Sequence, residues 1–168
     1  MGERLTRSDI EKIEKEIEER KLVKRPELIE AVKEARAQGD LSENFEYYAA
    51  KREKNLNESR IRYLERMLKF ATIVEEKASA DDEAALNKTV TVYFPDDDET
   101  ETFRIVTSIR GNSLKGLISI DSPMGKALLH RRVGDTVYVK VNEHAGYNVV
   151  IKEIGEVLDD TDDAIRQY

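Results

Sequence analysis

The sequence predicts an α+β protein, in which a long helical hairpin precedes a small β-sheet domain with one short helix. Apolar residues recur at spacings of three and four through residues 8–76, which is typical of amphipathic helices. Beyond residue 84 the chain becomes rich in Val, Ile, Thr, Tyr and Phe in short runs, which is the composition of strands. At 168 residues the chain could form one domain or two small ones.

Two helical limbs are predicted, over residues 8–38 and 44–76, with a reversal at Gly39. Pro26 would cost about 3 kcal/mol inside a helix, so we expect the first limb to be kinked or restarted there. About 30 residues at a rise of roughly 1.5 Å each give an arm of about 45 Å. The predicted seam of the return limb consists of Leu56, Ser59, Tyr63, Met67, Phe70 and Val74.

The second half of the chain is expected to form a small sheet. Strands are predicted over residues 89–94, 103–108, 117–120, 136–141 and 147–154, and a short helix over residues 122–129. The resulting division is a coiled-coil hairpin over residues 1–76 with an acidic tip at 39–44, a linker at 77–84, the α+β domain at 85–157 and an acidic tail at 158–168. We expect the tail to be frayed because it is short, terminal and rich in aspartate.

Composition excludes several classes of function. The absence of cysteine rules out disulfides, thiolate zinc sites and a cysteine nucleophile, and it fits a reducing compartment. No apolar run approaches the roughly 20 residues of a membrane span, and the first eight residues are too polar for a signal peptide. We therefore expect a soluble cytoplasmic protein. His130 and His144 have no convincing partner in the sequence, and no phosphate loop or hydrolase motif is present.

Charge is distributed unevenly along the chain. Residues 1–75 carry 17 Lys/Arg and 17 Asp/Glu, whereas residues 76–168 carry 11 and 18. This acidic second half argues against sequence-independent nucleic-acid binding by the whole chain. Residues 51–69 are locally basic, with seven cations against three glutamates. They form either a solvated helix face with pairs such as Glu58–Arg62, or a strip that guides a nucleic-acid strand toward the tip.

Two carboxylates, Asp40 and Glu43, follow the glycine of the reversal. Their spacing suits a helix N-cap and its reciprocal acid three residues later, which would merely begin the second helix. The alternative is that they ligate Mg²⁺, which often takes only one or two protein carboxylates and keeps several waters. Two acids are too few for a strong free-standing site, but they suit the completion of a site on another molecule.

Two motifs in this sequence resemble those of one protein family. The first is residues 39–47, Gly-Asp-Leu-Ser-Glu-Asn-Phe-Glu-Tyr, and the second is residues 117–128, followed by Val-Gly-Asp at 133–135. On these motifs the chain resembles the bacterial Gre transcript-cleavage factors, which are transcription elongation factors of the GreA/GreB type. The resemblance extends in register over residues 8–157.

The resemblance implies a factor that binds bacterial RNA polymerase in its secondary channel and stimulates the polymerase's own cleavage of backtracked RNA. It implies that Asp40 and Glu43 help to hold the second catalytic Mg²⁺, which is shared with the polymerase, and that the free protein binds no cofactor tightly. It also implies that the second domain resembles FK506-binding proteins (FKBP-like) and docks on the channel rim. The protein would be an accessory factor rather than an enzyme, and a monomer when free.

Residue by residue, the resemblance assigns further positions. Arg36, Lys51 and Arg52 match the family's basic patch, which faces the nascent RNA 3′ end, and Asp121, Ser122 and Pro123 match the polymerase-binding loop. Phe45 and Tyr48 make the helix after the tip more aromatic than expected for the family. Two alternatives stay open: a non-cleaving channel binder that inhibits the polymerase, and a prolyl isomerase suggested by the FKBP-like domain.

Overall fold

A computed structural model of the chain describes residues 2–39, 44–160 and 163–167. It contains two compact units: a helical unit formed by Asp9–Thr72, and a sheet unit formed by Glu3–Ser8 together with the chain from Ile73 onward. The predicted α+β class is confirmed. The division differs from the predicted one, because the segment Glu3–Ser8 belongs to the sheet unit. Within the described residues, no helix is both long and apolar enough to cross a lipid bilayer.

The first limb of the hairpin is interrupted, as Pro26 requires. Helix α1 spans Arg7–Glu19, a π-helical turn follows at Arg20–Lys24, and α2 spans Arg25–Ala37 with Pro26 in its first turn. In the wider turn the Arg25 N–H donates to the Arg20 carbonyl, five residues back. A proline ring clashes with the carbonyl four residues before it, and the wider turn moves that carbonyl away. Pro26 is therefore accommodated by a π-helical turn within a backbone that stays helical, rather than by a break and restart of the helix.

The return limb is a single helix, α3, over Phe45–Phe70. Its buried residues are Tyr47, Asn57, Arg60, Ile61, Leu64 and Met67. The predicted seam was therefore wrong in register, since Leu56 and Phe70 are each 57% exposed. The prediction followed apolar side chains alone, whereas the buried stripe includes an amide and a guanidinium group. These polar residues can be buried because side chains of the first limb provide their partners.

Charged side chains cross between the two limbs. Arg60 donates to Glu16 at 2.8 Å, and Arg25 donates to both carboxylate oxygens of Glu58, at 2.8 and 3.0 Å. Burial alone would raise the pKa of Glu16, but the hydrogen bonds from Arg60 and Arg20 outweigh burial and lower it. The expected Glu58–Arg62 pair along the helix is replaced by the pair with Arg25. These contacts fix the antiparallel register of the hairpin.

The strands of the described chain are β1 (Arg4–Leu5), β2 (Thr72–Ile73), β3 (Lys88–Phe94), β4 (Glu99–Val106), β5 (Leu117–Ser119), β6 (Thr136–Lys140) and β7 (Gly146–Val157). The sheet unit contains a five-stranded sheet in the order β5-β4-β3-β7-β6. All neighbours in this sheet are antiparallel except β4 and β5, which are parallel. The short helix α4, Pro123–Leu128, packs with Ile120 on the Val- and Ile-rich core. The predicted strands are confirmed within a few residues.

The acidic tail packs on the sheet unit, so the expectation of a frayed tail was wrong for its described residues. Asp163 accepts hydrogen bonds from Arg104 and, at 2.9 Å, from Arg110, whose side chain is fully buried. Burial alone would raise the pKa of Asp163, but these two guanidinium groups lower it. A carboxyl with a lowered pKa stabilises the fold above its unfolded pKa, and this stabilisation is lost as the pH falls through the folded value.

Candidate functional site at the end of the hairpin

A short connection joins helix α2 to helix α3 at the end of the hairpin. Helix α2 ends at Ala37, and Gly39 follows with a φ of 135°, in the region that favours glycine. A Cβ at Gly39 would meet no atom within 4 Å, so the glycine is required by the backbone conformation rather than by space. Asp40 and Glu43, predicted to assist a metal ion, lie outside the described residues.

Asn44 connects the two helices across this end. Its side-chain oxygen accepts from the Tyr47 N–H at 3.0 Å, which makes Asn44 the N-cap of α3. Its side-chain amide donates to the carbonyl of Ala35, near the end of α2, at 2.5 Å. The interpretation of Asp40 and Glu43 as the cap of the second helix is therefore wrong, since α3 begins at Phe45 and has another cap.

A cluster of cations surrounds the buried ring of Tyr47. The guanidinium carbon of Arg36 lies 5.5 Å from the ring centroid, and Lys51 Nζ lies 6.0 Å from it. Arg36 also donates to the Tyr47 hydroxyl at 3.4 Å. This hydrogen bond lowers the pKa of the Tyr47 hydroxyl, and Lys51 acts in the same direction while burial opposes both. Arg36 and Lys51, two members of the predicted basic patch, thus both contact one aromatic ring.

The third predicted cation, Arg52, lies on a neighbouring part of α3. It is exposed, and together with Tyr48 and Lys51 it lines a shallow groove of about 300 Å³ along the helix. Arg60 belongs to the same basic segment of the sequence, but it is buried against Glu16. Arg60 is therefore removed from the predicted strip, whereas Arg62, Arg66 and Lys69 are exposed like Arg52.

The predicted polymerase-binding loop lies in the sheet unit. Asp121 forms an ion pair with Arg4 at 2.5 Å and accepts from the Ser108 hydroxyl at 2.8 Å. Burial alone would raise the pKa of Asp121, but these two donors lower it. Ser122 caps α4 by accepting from the Gly125 N–H at 3.1 Å, and Pro123 is the first residue of that helix. Ser122 and Pro123 therefore begin α4, and the Asp121 carboxylate beside them is half-exposed.

Among the described residues, no group of three or more His, Cys, Asp and Glu side chains could hold a metal ion. His130 does have a neighbour that the sequence did not indicate, since its Nδ1 lies 3.5 Å from Glu83. The His130 side chain is 72% exposed, as expected for a surface histidine.

Comparison with known proteins identifies the family. The model "Transcription elongation factor, N-terminal" matches residues 3–73, and "Transcription elongation factor, GreA/GreB, C-term" matches residues 79–156. The chain is 46% identical over 136 residues to transcription elongation factor GreA of Streptococcus pneumoniae serotype 19F (strain G54), which covers 81% of this chain and 85% of that protein. The chain belongs to the GreA/GreB family of transcription elongation factors. The resemblance drawn from the two motifs is confirmed.

Further GreA/GreB relatives match over most of the chain. GreA of Streptococcus sanguinis (strain SK36) is 46% identical over 154 residues, which is 92% of this chain and 96% of that protein. Among solved structures, the Gfh1 protein of Thermus thermophilus, a GreA factor homologue, is 28% identical, with coverage of 93% of this chain and 100% of that chain and a TM-score of 0.43. The sequence relatives establish this GreA/GreB chain as a transcription elongation factor.

Sequence reasoning missed three residues that shape these sites. Asn44 was passed over because Asp40 also fits the pattern of a cap. Tyr47 lies in the first motif and was given no role of its own, although its spacing of four from Lys51 places the two side chains on one helix face. Arg4 could not be assigned to Asp121, because 117 residues separate them in the sequence.

We expect the cap at Asn44 to control the order of the first turn of α3. Asn44→Ala removes the acceptor for the Tyr47 N–H, and losing such a cap costs about 1 kcal/mol. Hydrogen exchange of the Tyr47 amide should therefore accelerate roughly fivefold if it exchanges by local opening. Asn44→Ser is the control, since it keeps a capping oxygen and loses only the donor to Ala35. Unchanged exchange at Tyr47 in Asn44→Ala would show that the cap does not hold this turn.

Proposed function

We propose that this chain binds bacterial RNA polymerase through its secondary channel and stimulates the polymerase's own cleavage of backtracked RNA. In this proposal Asp40 and Glu43 help to hold the second catalytic Mg²⁺, and the factor acts as a monomer in the cytoplasm. The observation that carries the proposal is the cap at Asn44. Because Asn44 is the N-cap of α3, the two carboxylates of the connection are not needed as the cap of that helix.

The dimensions of the hairpin suit this role. Helix α3 has 26 residues, which corresponds to a length of about 39 Å. A pair of helices is only about 20 Å wide, so such an arm can enter a channel that excludes a globular domain. Among the described residues, the two limbs are joined in part by ion pairs such as Arg25–Glu58 and Arg60–Glu16.

The donor set at the tip fits a shared Mg²⁺. This ion prefers oxygen ligands, keeps several waters, and is commonly held by one or two carboxylates together with substrate phosphates. When bound, such an ion lowers the pKa of its water and stabilises charge on the attacking and leaving oxygens. The contribution of this chain is two carboxylates three residues apart, between Gly39 on one side and the cap Asn44 on the other. We expect the chain alone to cleave no RNA.

The cations near the hairpin end support contact with the RNA 3′ segment. Arg36 and Lys51 are oriented by the Tyr47 ring, and Arg52 is exposed one turn beyond Tyr48. Clustered cations are the groups that bind phosphates, and their attraction falls with rising salt. In this proposal the three residues hold the extruded RNA while the carboxylates act at the scissile position.

Removal of the tip carboxylates should abolish stimulation of cleavage. We expect Asp40→Asn and Glu43→Gln each to slow cleavage of backtracked RNA about 10- to 100-fold, a range typical for loss of groups that support a metal site. Polymerase binding should be nearly unchanged, because the hairpin and the sheet unit remain. The measurement is single-turnover cleavage in stalled elongation complexes, with factor binding followed in the same samples.

Glu46→Gln provides the matched control, because it removes an exposed carboxylate in the first turn of α3. Its cleavage rate should stay close to that of the parent chain. Parent-like cleavage by both tip variants would contradict the proposal. If the parent chain binds the polymerase but lowers its intrinsic cleavage, the chain is instead the non-cleaving channel binder.

Two substitutions distinguish a docking role of Asp121 from its internal ion pair with Arg4. Asp121→Asn removes the carboxylate, whereas Arg4→Gln breaks the same ion pair and leaves the carboxylate free. We expect Asp121→Asn to raise the factor concentration that gives half-maximal cleavage about tenfold or more, which is the scale of a lost hydrogen bond to a charged group. The rate at saturation should be preserved, and Arg4→Gln should act like the parent. Equal effects of the two variants would assign Asp121 to internal structure alone.

A further inference from the structure

Two aromatic rings at the start of α3 are exposed to solvent. Phe45 is 85% exposed and Tyr48 is 51% exposed. Residues three apart lie side by side on a helix surface, so the two rings share one face. Large exposed apolar surfaces are typical of binding sites in soluble proteins. The packing of the hairpin end uses Tyr47 instead, which is buried.

The orientation of Tyr48 is fixed by its neighbour. Its ring lies 5.5 Å from that of Tyr47, edge to face with an interplanar angle of 63°. Since Tyr47 is itself held by Arg36, the ring of Tyr48 rests on a fixed support and presents its free surface to solvent. Phe45 lies one residue after the cap Asn44, so the position of its backbone is fixed as well.

Cations follow these rings directly along the helix. Lys51 and Arg52 come three and four residues after Tyr48, and the three residues line the same shallow groove. Arg52 is exposed to solvent. Aromatic rings beside a cationic groove are the combination that binds single-stranded nucleic acid, because bases stack on the rings while phosphates meet the cations.

We propose that Phe45 and Tyr48 form a stacking platform for unpaired bases of the extruded RNA 3′ segment. Lys51 and Arg52 meet the phosphates of the same segment. This inference rests on the proposed function, and it adds a group that recognises bases to the cations that attract the backbone. A single-stranded 3′ segment offers its base faces to such rings, whereas bases in a duplex are already stacked.

The occupant is RNA rather than a protein surface because of the neighbouring charges. A protein contact built on Phe45 would require an apolar pocket in the partner, and it would not use the exposed Lys51 and Arg52. Stacking also predicts a dependence on the RNA itself, since a nucleotide without a base cannot stack. A protein contact predicts no such dependence.

The test uses elongation complexes assembled on synthetic RNA whose 3′ segment does not pair with the template. One RNA ends in adenines, and the other carries abasic nucleotides at the same positions. The ratio of factor-stimulated to intrinsic cleavage is measured at saturating factor for the parent chain, Phe45→Ala and Phe45→Trp. We expect Phe45→Ala to lower this ratio about 5- to 100-fold on the adenine RNA, in line with the loss of one stacked base.

On the abasic RNA, Phe45→Ala should match the parent chain, and Phe45→Trp should act like the parent on both RNAs. Tyr48→Ala should repeat the pattern of Phe45→Ala. Equal losses on both RNAs would overturn stacking and assign Phe45 to a protein contact. Parent-like cleavage of both RNAs by Phe45→Ala and Tyr48→Ala would overturn the inference while the proposed function stands. Absence of stimulation by the parent chain on either RNA would overturn both.

Discussion

Hydrogen-bonded ion pairs between the two limbs are the constraint on which the hairpin depends. Arg60 of α3 pairs with Glu16 of α1, and Arg25 of α2 donates to both carboxylate oxygens of Glu58 of α3. The seam between the limbs has few large apolar side chains. Removing one partner of such a pair leaves the other without its counter-charge, so these contacts disfavour a shifted register. The register then determines that Ala35 and Asn44 meet, and this contact joins the two helices where the tip begins.

The sheet unit was predicted from the sequence more accurately than the hairpin, and the reason is physical. The strands of the sheet unit were found within a few residues because Val90, Val92 and their neighbours combine strand propensity with burial. The seam of the hairpin was not found, because Asn57 and Arg60 are polar and their burial depends on partners about 40 residues away. The packed tail was missed for the same reason, since Asp163 finds Arg104 and Arg110 only in the folded chain.

The candidate site divides in a similar way. Local motifs are the basis on which Asp40, Glu43 and the cations Arg36, Lys51 and Arg52 are predicted, because these residues lie in one contiguous segment around the tip. Contacts across the hairpin end, such as that of Asn44 with Ala35, follow from the reversal and are not visible in spacing. Because Asn44 caps α3, Asp40 and Glu43 are not needed for that role. Within the basic segment of residues 51–69, Arg60 packs against Glu16 whereas Arg52 stays exposed.

The central claim is that the tip carboxylates raise the occupancy of a loosely held ion in the polymerase. The most direct measurement is the Mg²⁺ concentration for half-maximal RNA cleavage, determined in backtracked complexes with and without saturating factor. The account predicts that the factor lowers this concentration, and that a chain with both Asp40→Asn and Glu43→Gln leaves it at the value without factor. A parent chain that raises the maximal rate at an unchanged half-maximal Mg²⁺ concentration would contradict the account.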